Sequence, residues 1–126
     1  MLTENEISKI AVDICFKIYQ QYGPCLFESV YEEIFCYEWN KTGIAFTRQI
    51  GVPLVHEQIK MDIGFRADII IDKKVILELK SIEALATVHF KQVLTYLTLT
   101  NIKLRLLINF NVNLIKDGIH RIVNKL

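Results

Sequence analysis

The sequence predicts an α/β fold in which helices flank a mixed central sheet. One observation is the order of the periodic segments, which runs helix, helix, three strands, helix and two strands. A second is that several predicted strands are nearly continuous apolar runs, which favours a sheet covered by helices. A third is a charge pattern inside residues 66–80, where Asp68, Glu78 and Lys80 interrupt two such runs. Buried charges must pair, bind a metal or line a cleft, so this stretch is the first candidate for a site.

Length and composition indicate one globular domain over residues 1–126. The chain is 52% hydrophobic, which is enough to build a core and too apolar for a disordered protein. Fifteen basic and fourteen acidic residues give a net charge of +1, so no strongly basic field indicates a nucleic-acid partner, although a local basic patch remains compatible with that total.

Cysteine usage and the N-terminal sequence predict a cytoplasmic protein. Cys15, Cys25 and Cys36 are odd in number and contain no C-x-x-C pair, which argues against a disulfide framework and against a zinc site. The first residues lack the apolar core of a signal peptide, and no apolar run approaches the ~20 residues needed to cross a bilayer. We therefore expect no membrane partner.

The first half of the chain predicts two helices. Thr3 and Glu6 have the spacing of a capping box, and the apolar period that follows ends near Tyr22 and Gly23. A second helix is predicted from Leu26 to about Lys41, with Gly43 as its terminator. Glu28 lies on the second helix, where we expect the neighbouring Glu32 and Glu33 to be exposed.

The second half predicts the sheet. Residues 45–57 form an edge strand that is bent at Gly51 and Pro53, and a turn over 56–61 leads to the hairpin of residues 66–80. The remaining predicted elements are a helix over 88–100 that stops at Asn101, a buried strand over 103–110, a turn over 116–119 and a short last strand over 120–123.

The loop of the hairpin decides how its charged residues are arranged. A three-residue loop, Asp72 to Lys74, pairs Ile71 with Val75 and therefore sets Asp68 opposite Glu78. Cβ atoms of such opposed residues lie ~4.5–5.5 Å apart.

Strand alternation then places Lys80 on the same face as Glu78. A two-residue loop would instead pair Asp68 with Leu79 and separate the two carboxylates between the faces of the sheet.

Two carboxylates that converge from adjacent strands, with a lysine beside them, suit a hard divalent cation such as Mg²⁺ or Mn²⁺. Such an ion lowers the pKa of bound water and stabilises negative charge on a phosphate, which is the chemistry of phosphodiester hydrolysis. The alternative is an ordinary surface ion pair between Glu78 and Lys80, with Asp68 capping a turn.

These residues resemble the active-site pattern of the PD-(D/E)xK nuclease superfamily. Asp68 corresponds to the motif aspartate and Glu78-Leu79-Lys80 to the E-x-K element, while Gln92 and Tyr96 are similar to the Q-x-x-x-Y motif of the RecB-like branch. Residues 23–33 resemble the signature of the bacterial GxxExxY protein family, and residues 89–97, 107–111 and 116–123 resemble its C-terminal half.

The chain also departs from that family. Cys25 replaces the glycine that gives the family its name, although Glu28 and Tyr31 hold their positions. Asn101 and Arg105 stand where we expect glycines near the last helix and strand. Because the catalytic positions are intact, these departures bear on local backbone shape more than on chemistry.

The resemblance implies a restriction-endonuclease-like α/β/α core with the hairpin at the centre of a mixed sheet. It implies Asp68 and Glu78 as metal ligands, the Leu79 backbone carbonyl as a third ligand, and Lys80 as the catalytic lysine. Glu28 would be an outer or second-metal carboxylate.

By the same resemblance, Gln92 and Tyr96 would line the cleft. The alternative to a cleft-lining role is that the Gln92 amide and the Tyr96 phenol, one helical turn apart, contact each other. His89 lies one turn before Gln92 and could face the same cleft, although a lone helical histidine is more often structural or solvated.

The leading hypothesis is a Mg²⁺- or Mn²⁺-dependent nuclease that acts on nucleic acid, in particular DNA. Because a chain of 126 residues leaves little room for a recognition domain, a homodimer or a partner protein would supply target choice. The competing hypotheses are a non-cleaving nucleic-acid-binding or protein-interaction module that keeps the fold, and a purely structural subunit.

Overall fold

The computed structural model describes residues 1–83 and 101–126, which form two helices and a five-stranded sheet. The predicted helix over 88–100 lies outside the described residues. The elements are α1 (Glu4–Tyr22), α2 (Glu28–Asn40), β1 (Phe46–His56), β2 (Ile59–Ile71), β3 (Val75–Lys80), β4 (Leu104–Asn109), a 3-10 helix (Ile115–Gly118) and β5 (Ile119–Val123).

Helix α1 begins and ends where its sequence predicts. The Thr3 hydroxyl accepts a hydrogen bond from the Glu6 backbone N–H at 3.2 Å, and the Glu6 carboxylate accepts one from the Thr3 N–H at 3.0 Å. The helix stops at Gly23, whose φ of 69° is accessible to glycine and whose N–H bonds the Tyr19 carbonyl. The predicted capping box is confirmed.

Helix α2 starts two residues later than predicted. Leu26 belongs to the turn before it, Phe27 is the N-cap, and the helix runs from Glu28 to Asn40. Its buried side includes Glu32, which corrects the expectation that this residue is exposed. Arg48 bonds the Glu32 carboxylate at 2.8 Å, and this ion pair compensates the burial of the charge.

The sheet is mixed and has the order β1-β2-β3-β4-β5. Strands β3 and β4 are parallel, and the other three neighbouring pairs are antiparallel. The edge strand β1 carries a register irregularity between Val52 and Leu54, at Pro53, whereas Gly51, the other predicted interruption, pairs with Arg66. Strand β2 begins at Ile59, so the turn between β1 and β2 is shorter than predicted.

One face of the sheet packs against α1 and α2. The buried cluster between them contains Ile7, Ala11, Ile18, Tyr31, Phe35 and Trp39 from the helices and Ile69, Ile71, Leu77, Leu79, Leu106 and Ile108 from the sheet. Alternation along the strands turns the next residues toward the opposite face, which therefore carries the charged residues of the hairpin. Strand β4 is buried at all six positions, as predicted, and the turn before β5 is a 3-10 helix.

Candidate active site on the central hairpin

The β2–β3 hairpin has the three-residue loop that its sequence predicts. Ile71 pairs with Val75 and Ile69 with Leu77, and Asp72 and Lys73 turn the chain with φ values of 50° and 57°. The two-residue alternative is thereby excluded. The paired residues end at Ile69 and Leu77, so the opposition of Asp68 and Glu78, one position further on, stays a prediction.

Asp68 is half-buried beside the backbone of β3. Its carboxylate accepts a hydrogen bond from the Leu79 N–H at 3.2 Å. Burial raises the pKa of Asp68 to about 6, and the negative charge of Glu78 contributes to the same rise, whereas the Leu79 hydrogen bond and Lys80 oppose it. The charge of Glu78 is therefore close enough to disfavour the ionisation of Asp68.

Lys80 lies on the same face as Glu78. Its ammonium is 3.5 Å from the Glu78 Oε1 atom, and the two side chains are 27% and 16% exposed. The predicted alternative, a surface ion pair, is confirmed for the pair itself. It is wrong about the surface, because the Glu78 side chain is largely buried. Asp68 contacts a strand rather than a turn.

Arg105 is a further site residue that the sequence analysis did not assign to the site. Its side chain is 1% exposed, and its guanidinium forms a close ion pair with the other Glu78 oxygen, Oε2. Arg105 is the one charged residue of β4, within the run Leu-Arg-Leu-Leu-Ile-Asn. A charge inside an apolar strand is the signal that singled out Asp68, and the same signal was available here.

The oxygen donors of the hairpin are of the type that hard divalent cations bind. Asp68 and Glu78 supply carboxylate oxygens. The Leu79 N–H points toward Asp68. Because the N–H and C=O of one residue leave an extended strand on the same side, the Leu79 carbonyl also points to the side of β3 on which Asp68 lies. Within residues 1–83 and 101–126, however, the structure brings no three His, Cys, Asp or Glu residues together as a metal-binding group.

Glu28, the first residue of α2, contacts Ser81, the residue that follows Lys80 at the carboxyl end of β3. Its Oε2 atom accepts a hydrogen bond from the Ser81 N–H at 3.2 Å, and the Ser81 hydroxyl donates to the Leu26 carbonyl at 2.7 Å. A cavity of about 620 Å³ opens here, lined by residues 25–29, Ser81 and Asn111. The role of Glu28 as an outer or second-metal carboxylate stays a prediction.

Tyr31 fixes the turn that precedes Glu28. Its hydroxyl donates to the Gly23 carbonyl at 2.6 Å and accepts from the Leu26 N–H at 3.2 Å, and its ring stacks on Phe110 with centroids 4.0 Å apart. Within this turn Cys25 has a φ of 82°, a conformation that favours glycine. Tyr31 thus has a structural role, and Cys25 adopts a backbone conformation that favours glycine.

Asn109 ties the chain after β3 to the end of β4. Its side chain accepts from the Ile82 N–H at 3.1 Å and donates to the Ile82 carbonyl at 2.9 Å. The Phe110 N–H meanwhile bonds the Lys80 carbonyl at 2.9 Å. Both contacts hold the backbone that carries Lys80. The predicted cleft residues Gln92, Tyr96 and His89 lie outside the described residues.

A mixed α/β sheet that carries paired carboxylates and a lysine on its central hairpin defines a nuclease-like class of protein. The profile of the PD-(D/E)XK nuclease superfamily matches residues 5–122. The chain belongs to this superfamily, and membership indicates a phosphodiester-cleaving nuclease. Neither the curated proteins nor the solved structures contain a match. Among the described helices, none combines the length and the apolar character that a transmembrane segment requires.

Proposed function

We propose that this protein is a divalent-metal-dependent nuclease that hydrolyses phosphodiester bonds in DNA. The observation that carries the proposal is the arrangement of Asp68, Glu78 and Lys80. The two carboxylates come from adjacent strands of one hairpin, the pKa of Asp68 is raised in part by Glu78, and the lysine ammonium lies beside Glu78. A carboxyl group with a perturbed pKa next to a lysine is typical of catalytic sites.

In this proposal, some residues of the hairpin bind the metal ion and Lys80 stabilises charge on the substrate. Asp68, Glu78 and the Leu79 carbonyl would hold Mg²⁺ or Mn²⁺, which when bound supplies Lewis-acid stabilisation of the phosphate and a more acidic water. The Lys80 ammonium would donate hydrogen bonds to the attacking water or to a phosphate oxygen. Its partial exposure leaves it accessible to both.

Further residues are assigned to the edge of the site. Glu28 would act as an outer or second-metal carboxylate from the start of α2. Its hydrogen bond with Ser81, the residue after Lys80, supports this role. Gln92 and Tyr96 would line the cleft, with His89 beside them.

Within the superfamily, we assign the chain to the GxxExxY family of the RecB-like branch. The support is the signature segment, in which Cys25 adopts a φ of 82° and Tyr31 holds the turn. We further propose a cytoplasmic location, supported by three free cysteines, and target choice through a homodimer or a partner protein.

The direct test is cleavage of single-stranded DNA, double-stranded DNA and RNA in Mg²⁺, in Mn²⁺ and in EDTA. Asp68→Ala and Lys80→Ala should each abolish cleavage, and EDTA should abolish it in the wild type. Asp72→Ala and Lys73→Ala in the same hairpin are matched controls that should cleave normally. Full activity in Asp68→Ala or Lys80→Ala, or cleavage in EDTA, would overturn the proposal.

A second candidate is a nucleic-acid-binding module that keeps the fold without cleaving. The Arg105–Glu78 ion pair favours it, because one of the two candidate ligands is already neutralised by a buried cation. Calorimetry distinguishes the two functions. DNA binding without any binding of Mg²⁺ or Mn²⁺ would support the module and contradict the nuclease.

A further inference from the structure

We propose that Arg105 is a positioning residue that holds Glu78 and opposes metal binding at the same carboxylate. The proposal rests on the proposed metal site of Asp68 and Glu78. Glu78 is bracketed by two cations, with the Lys80 ammonium at 3.5 Å from Oε1 and the Arg105 guanidinium on Oε2. A divalent cation that binds Glu78 must therefore compete with Arg105 or share its carboxylate with it.

The topology of the sheet makes this contact. Strand β4 runs parallel to β3, and Arg105 is the register partner of Ile76, two residues before Glu78 on the same face. A long side chain at this position reaches Glu78 by running along the strand. Because Arg105 is 1% exposed, its guanidinium cannot exchange the carboxylate for water as a surface arginine would.

The charges around Glu78 affect how tightly the site binds a divalent cation. Among the described residues, the Lys80 ammonium and the Arg105 guanidinium both contact the Glu78 carboxylate. A divalent cation gains less from a carboxylate that is already paired with cations than from one that is unpaired. Lys80 is partly exposed and can turn toward solvent, whereas Arg105 is fixed. Arg105 is thus the residue that lowers the metal affinity.

The same contact stabilises the metal-free protein. Two carboxylates on paired strands repel each other, and a buried guanidinium beside one of them offsets that repulsion. Removal of the arginine should therefore have two opposite effects. The metal-free protein should unfold at a lower temperature, while Mg²⁺ or Mn²⁺ should bind more tightly and restore more stability.

The experiment is calorimetric titration of wild type and Arg105→Met with Mg²⁺ and with Mn²⁺, paired with melting temperatures in EDTA and in each metal. Methionine preserves much of the side-chain volume without the charge. The variant should bind the ion about tenfold more tightly or better, and its melting temperature should rise more on metal addition than that of the wild type. Arg121→Met, which removes an arginine of β5 that bonds Asn5 on α1, is the control and should leave metal affinity unchanged.

Arg105→Lys keeps the charge and should keep the weaker, wild-type affinity. If Arg105→Met does not fold, the wild type supplies the test through the guanidinium NMR signal of Arg105, assigned with Arg105→Lys. This signal should shift during a Mg²⁺ titration, and the midpoint of the shift should equal the midpoint found by calorimetry. The guanidinium signal of Arg121, which bonds Asn5, should stay constant. An Arg105 signal that does not move as the site fills would overturn the proposal.

Failure of this proposal is distinguishable from failure of the nuclease assignment. Equal or weaker metal binding by Arg105→Met contradicts the role of Arg105 and leaves the nuclease assignment intact. If neither the wild type nor Arg105→Met binds Mg²⁺ or Mn²⁺, the proposed role of Arg105 and the proposed metal dependence are both wrong. Tight binding by Arg105→Met alone is the strongest support for the role of Arg105.

Discussion

The carboxylate of Asp68 accepts a hydrogen bond of 3.2 Å from the backbone N–H of Leu79, just beyond the last paired residues of the β2–β3 hairpin. The bond anchors Asp68 on the strand that carries Glu78 and Lys80. It does not compensate fully for burial and for the charge of Glu78, since the pKa of Asp68 rises to about 6. The hairpin therefore holds its carboxylates together at a cost in stability, as catalytic sites often do.

Asp68→Asn should make the metal-free protein more stable while abolishing cleavage. The folded state binds the Asp68 proton more tightly than the unfolded state, so the contribution of Asp68 to stability is present below pH 4 and is lost as the pH rises through about 6. At pH 7 in EDTA the variant should gain about 1–2 kcal/mol, a value reduced for partial solvent exposure.

Urea unfolding between pH 4 and pH 8 measures this gain, which should shrink toward pH 4. A gain at pH 4 equal to that at pH 7 would contradict the assigned cause.

Glu28→Gln separates a structural role of Glu28 from a metal-binding one. Glutamine can still accept the hydrogen bond from the Ser81 N–H, so the stability of the metal-free protein should change by less than about 0.5 kcal/mol. Loss of the charge should lower cleavage at limiting Mn²⁺ by about tenfold if Glu28 is a metal carboxylate. Kinetics over a range of Mn²⁺ concentrations provides the measurement, and unchanged kinetics would leave Glu28 with the structural role alone.

Cys25→Gly should stabilise the protein. A side chain at a φ of 82° costs about 1–2 kcal/mol, and the greater entropy of glycine in the unfolded chain returns about half of that. We expect a net gain of about 0.5–1 kcal/mol in urea unfolding. Cys25→Ala retains the backbone strain and should match the wild type, so an alanine variant as stable as the glycine variant would rule out strain as the cause.

Gly118→Ala should destabilise the protein, because a Cβ at this position would lie 1.9 Å from the Asn109 carbonyl oxygen. The backbone must shift at the end of β4, where Asn109 anchors Ile82, and we expect a loss of about 2 kcal/mol. Thermal unfolding measures it. Lys116→Ala in the same 3-10 helix should change stability by less than about 0.5 kcal/mol, and an equal effect of both variants would argue against the close approach.

Local sequence determined the elements and the geometry of the hairpin. The capping box at Thr3 set the start of α1, Pro53 marks the register irregularity of the edge strand, and the three residues from Asp72 to Lys74 fixed the register of the hairpin. These features depend on a few neighbouring residues, and the period of a strand extends the consequence from Ile71 and Val75 out to Lys80.

The tertiary structure decided which charges meet. Arg105 reaches Glu78 because β4 lies beside β3, and Arg48 covers Glu32 because β1 lies near α2. Both pairs join residues that are far apart in the chain, and a one-dimensional pattern does not specify which strands become neighbours. The proximity of Asp68, Glu78 and Lys80 was therefore predictable from one hairpin, whereas the contact of the buried Arg105 with Glu78 follows only from the order of strands in the sheet.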